Sequence, residues 1–526
     1  MTQRGNHAAG LSRDESLADG RARKTSSQSS DLRDYYRPGQ LQHGTTFGHP
    51  ISLELTFPLR RSQYQRASSE NTTMSIDPIA VLSSEEIEAL SHHVIAEAQA
   101  GRKEAAWHKL QPLRKVQLRQ PEAAMALLGI VYERCLQREV AIDILSEVAQ
   151  SHDQDFRVLS AVGRCLEAAS DIDDLNAPPP GDPVFHSVVE KLEGLAKVYE
   201  GRPQQEPILE GLATAARMLA RQRDAIAESS HRKLTEINPK KSACHYNLGL
   251  FYKTRGRFSE GVTSNQIAAS LADEVVESYE WNLGICATGA GNTAVALDVW
   301  KRMGQAIEIG RFGLPEGRYA QCKVKLAERP LAERTSELDD PGAEETIWIE
   351  RLSPCHGIIR SVLYQNLGIN YGDVVLIDGA PITHHAYGEV QVPVFPHLAT
   401  LLRRNYQVFD FAGTQDTARQ LADISADLDE DAVVYSHSES FRMLCANCWR
   451  DPDVNHDQHE GVRKHVVTGR IAAPPGIAPA RLLDLIDKAI AKRERCQLYA
   501  PDLCAAAGLT ARQRIDRRRF ALLTGN

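Results

Sequence analysis

Between about residues 83 and 310 the apolar positions fall at helical spacing, three and four apart, and predict a succession of helices joined by short turns. From about residue 344 the pattern changes. Thr346–Leu352, Gly357–Val362 and Asp373–Ile377 alternate like strands, and Val390–Phe395 reads as an edge strand in which its proline is tolerated. Further strands are expected at Gln407–Phe411, Ala432–Tyr435 and about 465–472, with helices near 397–404, 414–428 and 478–493. The order is therefore all-α first, then an α/β domain with a β-rich start over 344–495.

Self-comparison sharpens the helical half. Leu128-Gly129-x-x-Tyr132 is followed after 34 residues by Val162-Gly163-x-x-Leu166. Leu248-Gly249-x-x-Tyr252 leads through Gly256-Arg257-Phe258 to Gly261 and Ala268, and Ile237-Asn238-Pro239 ends the preceding helix. Leu283-Gly284-x-x-Ala287 follows 35 residues later and leads through Gly291-Asn292 to Ala296 and Met303. In each unit the small residue lets the next helix approach, Tyr252 fills the space between helices, and Gly256 makes the turn. This spacing and chemistry resemble the tetratricopeptide repeat over about residues 83–310. The resemblance implies a superhelical solenoid in which no unit buries its apolar face alone. It divides into sub-arrays at 83–170 and 186–310, separated by a Pro-rich linker at 171–185, with a second linker at 311–343.

The same resemblance implies a protein or peptide partner held in a concave groove lined by first helices. Tyr246-Asn247 and Trp281-Asn282 precede the two clearest Leu-Gly pairs, and in peptide-binding members an Asn there bonds the ligand backbone. Tyr246, Asn247, Lys253, Trp281 and Asn282 are thus candidate groove residues. The alternative is that the asparagines link adjacent helices and the aromatics pack the seam between units. Gly289-Ala290-Gly291-Asn292-Thr293-Ala294 matches a dinucleotide-binding pattern, but a helix rather than a buried strand precedes it, so the nucleotide reading is set aside.

Composition narrows the class. With 526 residues, 42% hydrophobic and 25% charged, the chain is long enough for several cores. A net charge of −8 argues against a nucleic-acid-coating protein. No run approaches a membrane span, no secretory signal is visible, and the spread of 10 Cys suits thiols in a reducing, cytoplasmic setting. Residues 1–75 are too polar for a core and are expected to be disordered, with Met74 an alternative start. The Arg-rich stretch 496–526 is expected to be a frayed, solvated tail.

Candidate chemistry concentrates in the C-terminal half, which holds eight of the 18 His between 356 and 465. Cys445-x-x-Cys448 followed by His456-x-x-His459 offers two thiolates and two imidazoles, a donor set that zinc accepts. The gap between the pairs is not a zinc-finger spacing, so a polar His-rich loop stands beside the metal reading. Cys355, served by His384, His385 or His437, is a candidate nucleophile, against a structural cysteine. P-loop, nucleophile-elbow and zincin-helix motifs are absent. Two functions follow. One is an adaptor whose solenoid captures a protein while the C-terminal domain acts as effector. The other is a zinc- or thiol-dependent hydrolase or transferase with a substrate-recruiting solenoid.

Overall fold

In the computed structural model, which describes residues 81–169, 183–219, 221–428, 432–445 and 461–525, the helical pattern begins at a capping box. The Ser83 side chain accepts from the Glu86 N–H while the Glu86 carboxylate accepts from the Ser83 N–H, satisfying two donors that the first turn would leave bare. The described residues all belong to one unit spanning 50–526.

Among the described residues up to 302, twelve helices pair into six hairpins: α1 Ser84–Gln99 with α2 Lys103–Val116, α3 Pro121–Tyr132 with α4 Arg138–Ser151, α5 Phe156–Ala169 with α6 Pro183–Val198, α7 Gln205–Leu219 with α8 Asp224–Ile237, α9 Ser242–Thr254 with α10 Phe258–Leu271, and α11 Glu277–Gly289 with α12 Thr293–Arg302. Of the expected linker 171–185, residues up to 182 lie outside the described set, and Pro183 opens α6. The motif residues act as their chemistry requires. Gly284 meets the Trp300 indole of α12, where an added Cβ would lie 2.4 Å from the ring. Tyr252 is buried, and its hydroxyl donates to Glu228 of α8 at 3.2 Å. Gly289–Ala294 is the α11–α12 turn, and Asn292 caps α12 through the Val295 N–H.

The segment expected as a linker at 311–343 is instead part of a sheet. β1 Ile307–Ile309 pairs with β2 Pro315–Gly317, and β3 Cys322–Ala327 pairs with β4 Glu344–Arg351. β5 His356–Ile359, β6 Val374–Ile377 and β8 Val390–Leu402 continue the sheet in the order β3-β4-β5-β6-β8, with β7 Thr383–Tyr387 forming a hairpin on β8. A parallel pairing of β3 with β8, Lys323 to Val394 through Lys325 to Pro396, closes the five strands into a barrel. β3 alternates buried and half-exposed residues, and its Val324 and Leu326 join Ile347, Ile349, Val375, Ile377 and Phe395 inside.

The helix expected at 397–404 is also corrected. His397–Leu402 continues β8 because its backbone pairs with β6, Ile377 opposite His397 and Val374 opposite Leu402. A short apolar run cannot distinguish the two states until its partner is known. Of the helix expected at 414–428, only a 3-10 stretch at Ala422–Asp427 forms, after β9 Gln407–Gln415.

A second sheet has the order β10-β11-β9-β12, from β10 Val433–Leu444, β11 Val462–Ala473, β9 and β12 Gln497–Tyr499. α13 Pro479–Ala491 supplies Leu482, Leu483 and Ile486 to its core. Residues 496–525 are not a frayed tail. They carry β12, α14 Pro501–Ala506 and α15 Thr510–Thr524, which docks through Phe520, Leu522 and Leu523 against Leu444 and Val466. Asp516 fixes the corner by accepting from the Ala500 N–H at 3.0 Å.

Candidate functional site

First helices α3, α5 and α7 pack side by side, as do α9 and α11, so the C-terminal ends of successive first helices line up. Four charged residues stand at those ends: Arg134 just past α3, Glu167 near the end of α5, Arg217 near the end of α7 and Lys253 near the end of α9. Cations suit a helix C-terminus, where unpaired carbonyls concentrate negative charge. Glu167 does not, and it is held by Arg217 at 2.7 Å. Burial would raise the Glu167 carboxyl, but Arg217, with Arg134 and Lys253 beyond it, holds it below its ordinary value. One carboxylate thus feels cations from three other hairpins. Only the inner face of a stacked array brings first helices together in this way.

Tyr246 lies on the same strip, half-buried, its ring 4.7 Å from that of Tyr279. Burial pushes its hydroxyl up, and Lys253, Glu167 and Asp378 all act on it. Asn247 beside it is exposed. The strip ends where the barrel begins. Lys253 is buried and donates to the Asp378 carboxylate at 2.7 Å. Burial alone would lower the Lys253 ammonium, yet Asp378 raises it above its ordinary value. Asp378 caps the end of β6, and the next residue, Gly379, lies flat on Trp281: an added Cβ would come within 2.7 Å of the indole. Trp281 also packs edge-on against Trp300 at 5.2 Å. Asn282 is buried, and its side-chain N–H has no hydrogen-bond partner.

Around this contact the two halves share one apolar cluster. Leu283, Ile285, Cys286 and Trp300 of the array meet Leu331, Cys355, Leu376, Leu398 and Ala399 from the β region. Each large side chain buried there contributes about 1.5–3 kcal/mol. A second polar tie lies one hairpin earlier. Buried Arg221, between α7 and α8, donates to Thr254 O at 3.1 Å and to Leu331 O, and pairs with Asp339 at 3.3 Å.

Lys253 and Trp281 therefore meet the chain's own barrel, Tyr246 lies on the charged strip, and Asn247 is exposed beside it. Arg134, Glu167 and Arg217 went unnoticed in the sequence because they sit one or two turns from the Leu-Gly landmarks, in units whose repeat signature is faint.

Residues 84–302 form a tetratricopeptide-like solenoid. No known family and no curated protein matches the chain. Among solved structures, similarity extends to one described as a functional characterization of Pseudomonas aeruginosa PilF (15% identity, 42% of this chain and 90% of that chain, TM-score 0.27). It extends also to MamA from Desulfovibrio magneticus RS-1 (19% identity, 34% and 93%, TM-score 0.25) and to MamA from AMB-1 (16% identity, 43% and 93%, TM-score 0.23). The description of the array here rests on its own hairpins and motif residues.

The remaining candidates fall in separate places. Cys355 is fully buried, with Ser353 and Thr288 as partners, and burial pushes its thiol up to about 11, so thiolate is scarce at neutral pH. His384 is exposed on β7, His385 faces Lys323 at 3.4 Å, and His437 bonds Val362 O at 2.7 Å while stacking on Tyr364. The structure does not gather them around Cys355. Of the zinc candidates, Cys445 is buried just past β10, and Cys448, His456 and His459 lie outside the described residues. Among the described residues no cluster of three or more His, Cys, Asp or Glu could hold a metal ion, and no helix is long and apolar enough to cross a membrane.

Proposed function

We propose that this chain is an interaction protein whose helical array holds an extended segment of a protein partner along its inner face. The barrel and second sheet form a module fixed at the array's C-terminal end. The observation that carries this reading is the polar strip running across four hairpins, Arg134, Glu167, Arg217 and Tyr246, on the face where first helices converge. A strip of that kind offers a partner's backbone and side chains hydrogen bonds and charge at the regular interval of the repeat. The Lys253–Asp378 pair and the shared apolar cluster support a module held at constant orientation rather than on a swinging linker.

The test places a photo-crosslinking amino acid at Asn247, exposed on first helix α9, and in a second variant at Glu236, exposed on second helix α8. Protein adducts formed in cells from position 247 and not from 236 are expected. Equal adducts from both positions, or none from 247, would count against the groove.

A further inference from the structure

We propose that the exposed side of α15, together with Lys464 of β11, docks the phosphate backbone of a nucleic-acid duplex. Charge is divided unevenly along the chain. Residues 462–525 carry 13 Lys and Arg against 5 Asp and Glu, although the whole chain stands at −8. The last elements therefore set up a local positive field that the net charge conceals. Seven of those 13 cations are neutralised by carboxylates of the second sheet and its helices, as Arg470 is by Asp410 and Arg512 by Asp487. Arg514, Arg517 and Arg518 are exposed on α15 and have no ion-pair partner among the described residues. Lys464 is half-exposed and equally without one.

The fold gains nothing from placing these arginines together. Arg514 with Arg517 and Arg514 with Arg518 are like-charge neighbours three and four apart, which weakens a helix. The helix is nevertheless held firmly. Leu523 is buried against the sheet, Asp516 accepts from the Ala500 N–H, and Arg442 donates to Leu522 O at 3.2 Å and Thr524 O at 2.8 Å. Arg514 and Arg518 are one turn apart, Leu522 lies a turn further where Arg442 docks, and Lys464 stands directly opposite Arg442 on β11. From 514 to 522 the row runs about 12 Å, the axial length of three or four nucleotides of one strand at about 3.4 Å each. The guanidinium fork meets phosphate oxygens two at a time. A single strand is bound through stacked aromatics, and α15 exposes none. A membrane needs an apolar face, but Phe520, Leu522 and Leu523 are turned to the sheet and Ile515 stands alone among the arginines. A rigid row of cations suits charge repeated at a fixed interval better than the irregular carboxylates of a peptide.

The full chain is titrated by fluorescence anisotropy against a labelled DNA duplex of about 20 base pairs, and against an RNA duplex of the same sequence, between about 50 and 200 mM salt. Binding near micromolar at the lower salt is expected, weakening about a hundredfold across the range, with a slope of about −3 to −4 in log K against log salt. Binding of only one duplex would support the site and name the source of the phosphates. Arg514→Gln/Arg517→Gln/Arg518→Gln should weaken binding by about tenfold or more and flatten the slope to about −1. Arg514→Lys/Arg517→Lys/Arg518→Lys should keep the slope, because it keeps the charge. Arg481→Gln/Lys488→Gln/Lys492→Gln removes as many cations from positions that already have carboxylate partners, and should change neither quantity. No binding of either duplex, an unchanged slope in the α15 glutamine variant, or an equal loss in the second glutamine variant would overturn the proposal. Vesicles rich in phosphatidylserine that bind more tightly than both duplexes, and are lost in the α15 glutamine variant, would give the face to a membrane and overturn it. Polyglutamate that displaces the duplex at equal charge concentration would give it to an acidic protein, and would overturn it too.

Discussion

His231 shows how much a single side chain can reveal about the array. It sits on α8 against Phe251 with both ring nitrogens unpartnered, and burial pushes its pKa down to about 3. The folded value lies below the unfolded one of about 6.5, so its contribution is intact above that pH and is lost as pH falls toward 3. At pH 5 the cost is about 2 kcal/mol. Urea melts of the full chain at pH 7 and pH 5 should differ less in His231→Leu than in the parent; an identical difference in both would show that the ring is solvated. The Lys253–Asp378 pair behaves differently, because losing one partner strands a buried charge. Lys253→Met should cost about 3–5 kcal/mol, and Lys253→Met/Asp378→Leu should recover most of it. Strictly additive losses in that cycle would mean the two groups do not depend on each other.

At the level of elements, what could be read from the sequence depended on where each element's partner lies. Helices of the 242–305 units were legible because Leu-Gly pairs and turn glycines encode contacts within one hairpin, as Gly284 against Trp300 shows. Strands such as Val374–Ile377 and Val462–Ala473 were legible from alternation and β-branched residues. β3 was missed: residues 328–343 separate it from its antiparallel partner β4, and its second partner, β8, lies some seventy residues away. His397–Leu402 misled for the same reason. α15 was obscured by composition. Its run of arginines reads as solvated, while its apolar docking side rests on Phe520, Leu522 and Leu523. Of the candidate site, the sequence pointed to Lys253 and Trp281 beside the repeat landmarks, but not to the barrel that takes them up. That contact involves Asp378 and Gly379, which carry no periodic signal.

For the molecule as a whole, the barrel covers the apolar end that the last hairpin of a solenoid would otherwise expose. Trp300, Leu283 and Ile285 have their neighbours in the β region as well as in the array. The late hairpins and the barrel should therefore unfold together. In variants keeping only Trp281 or only Trp348, the fluorescence midpoints in urea should coincide; midpoints well separated would show that array and barrel are independent folding units.

The keyed end also constrains how such a chain can change over generations. Arg221, Lys253 and Trp281 tie the last three hairpins to particular residues in the turns and loops of the β region, so a repeat duplicated or deleted among them would misplace every one of those ties. Among the described residues ahead of α7 no such tie to the β region is formed. Gain and loss of repeats should then be tolerated at the front of the array, where reach can lengthen while the rear stays constant.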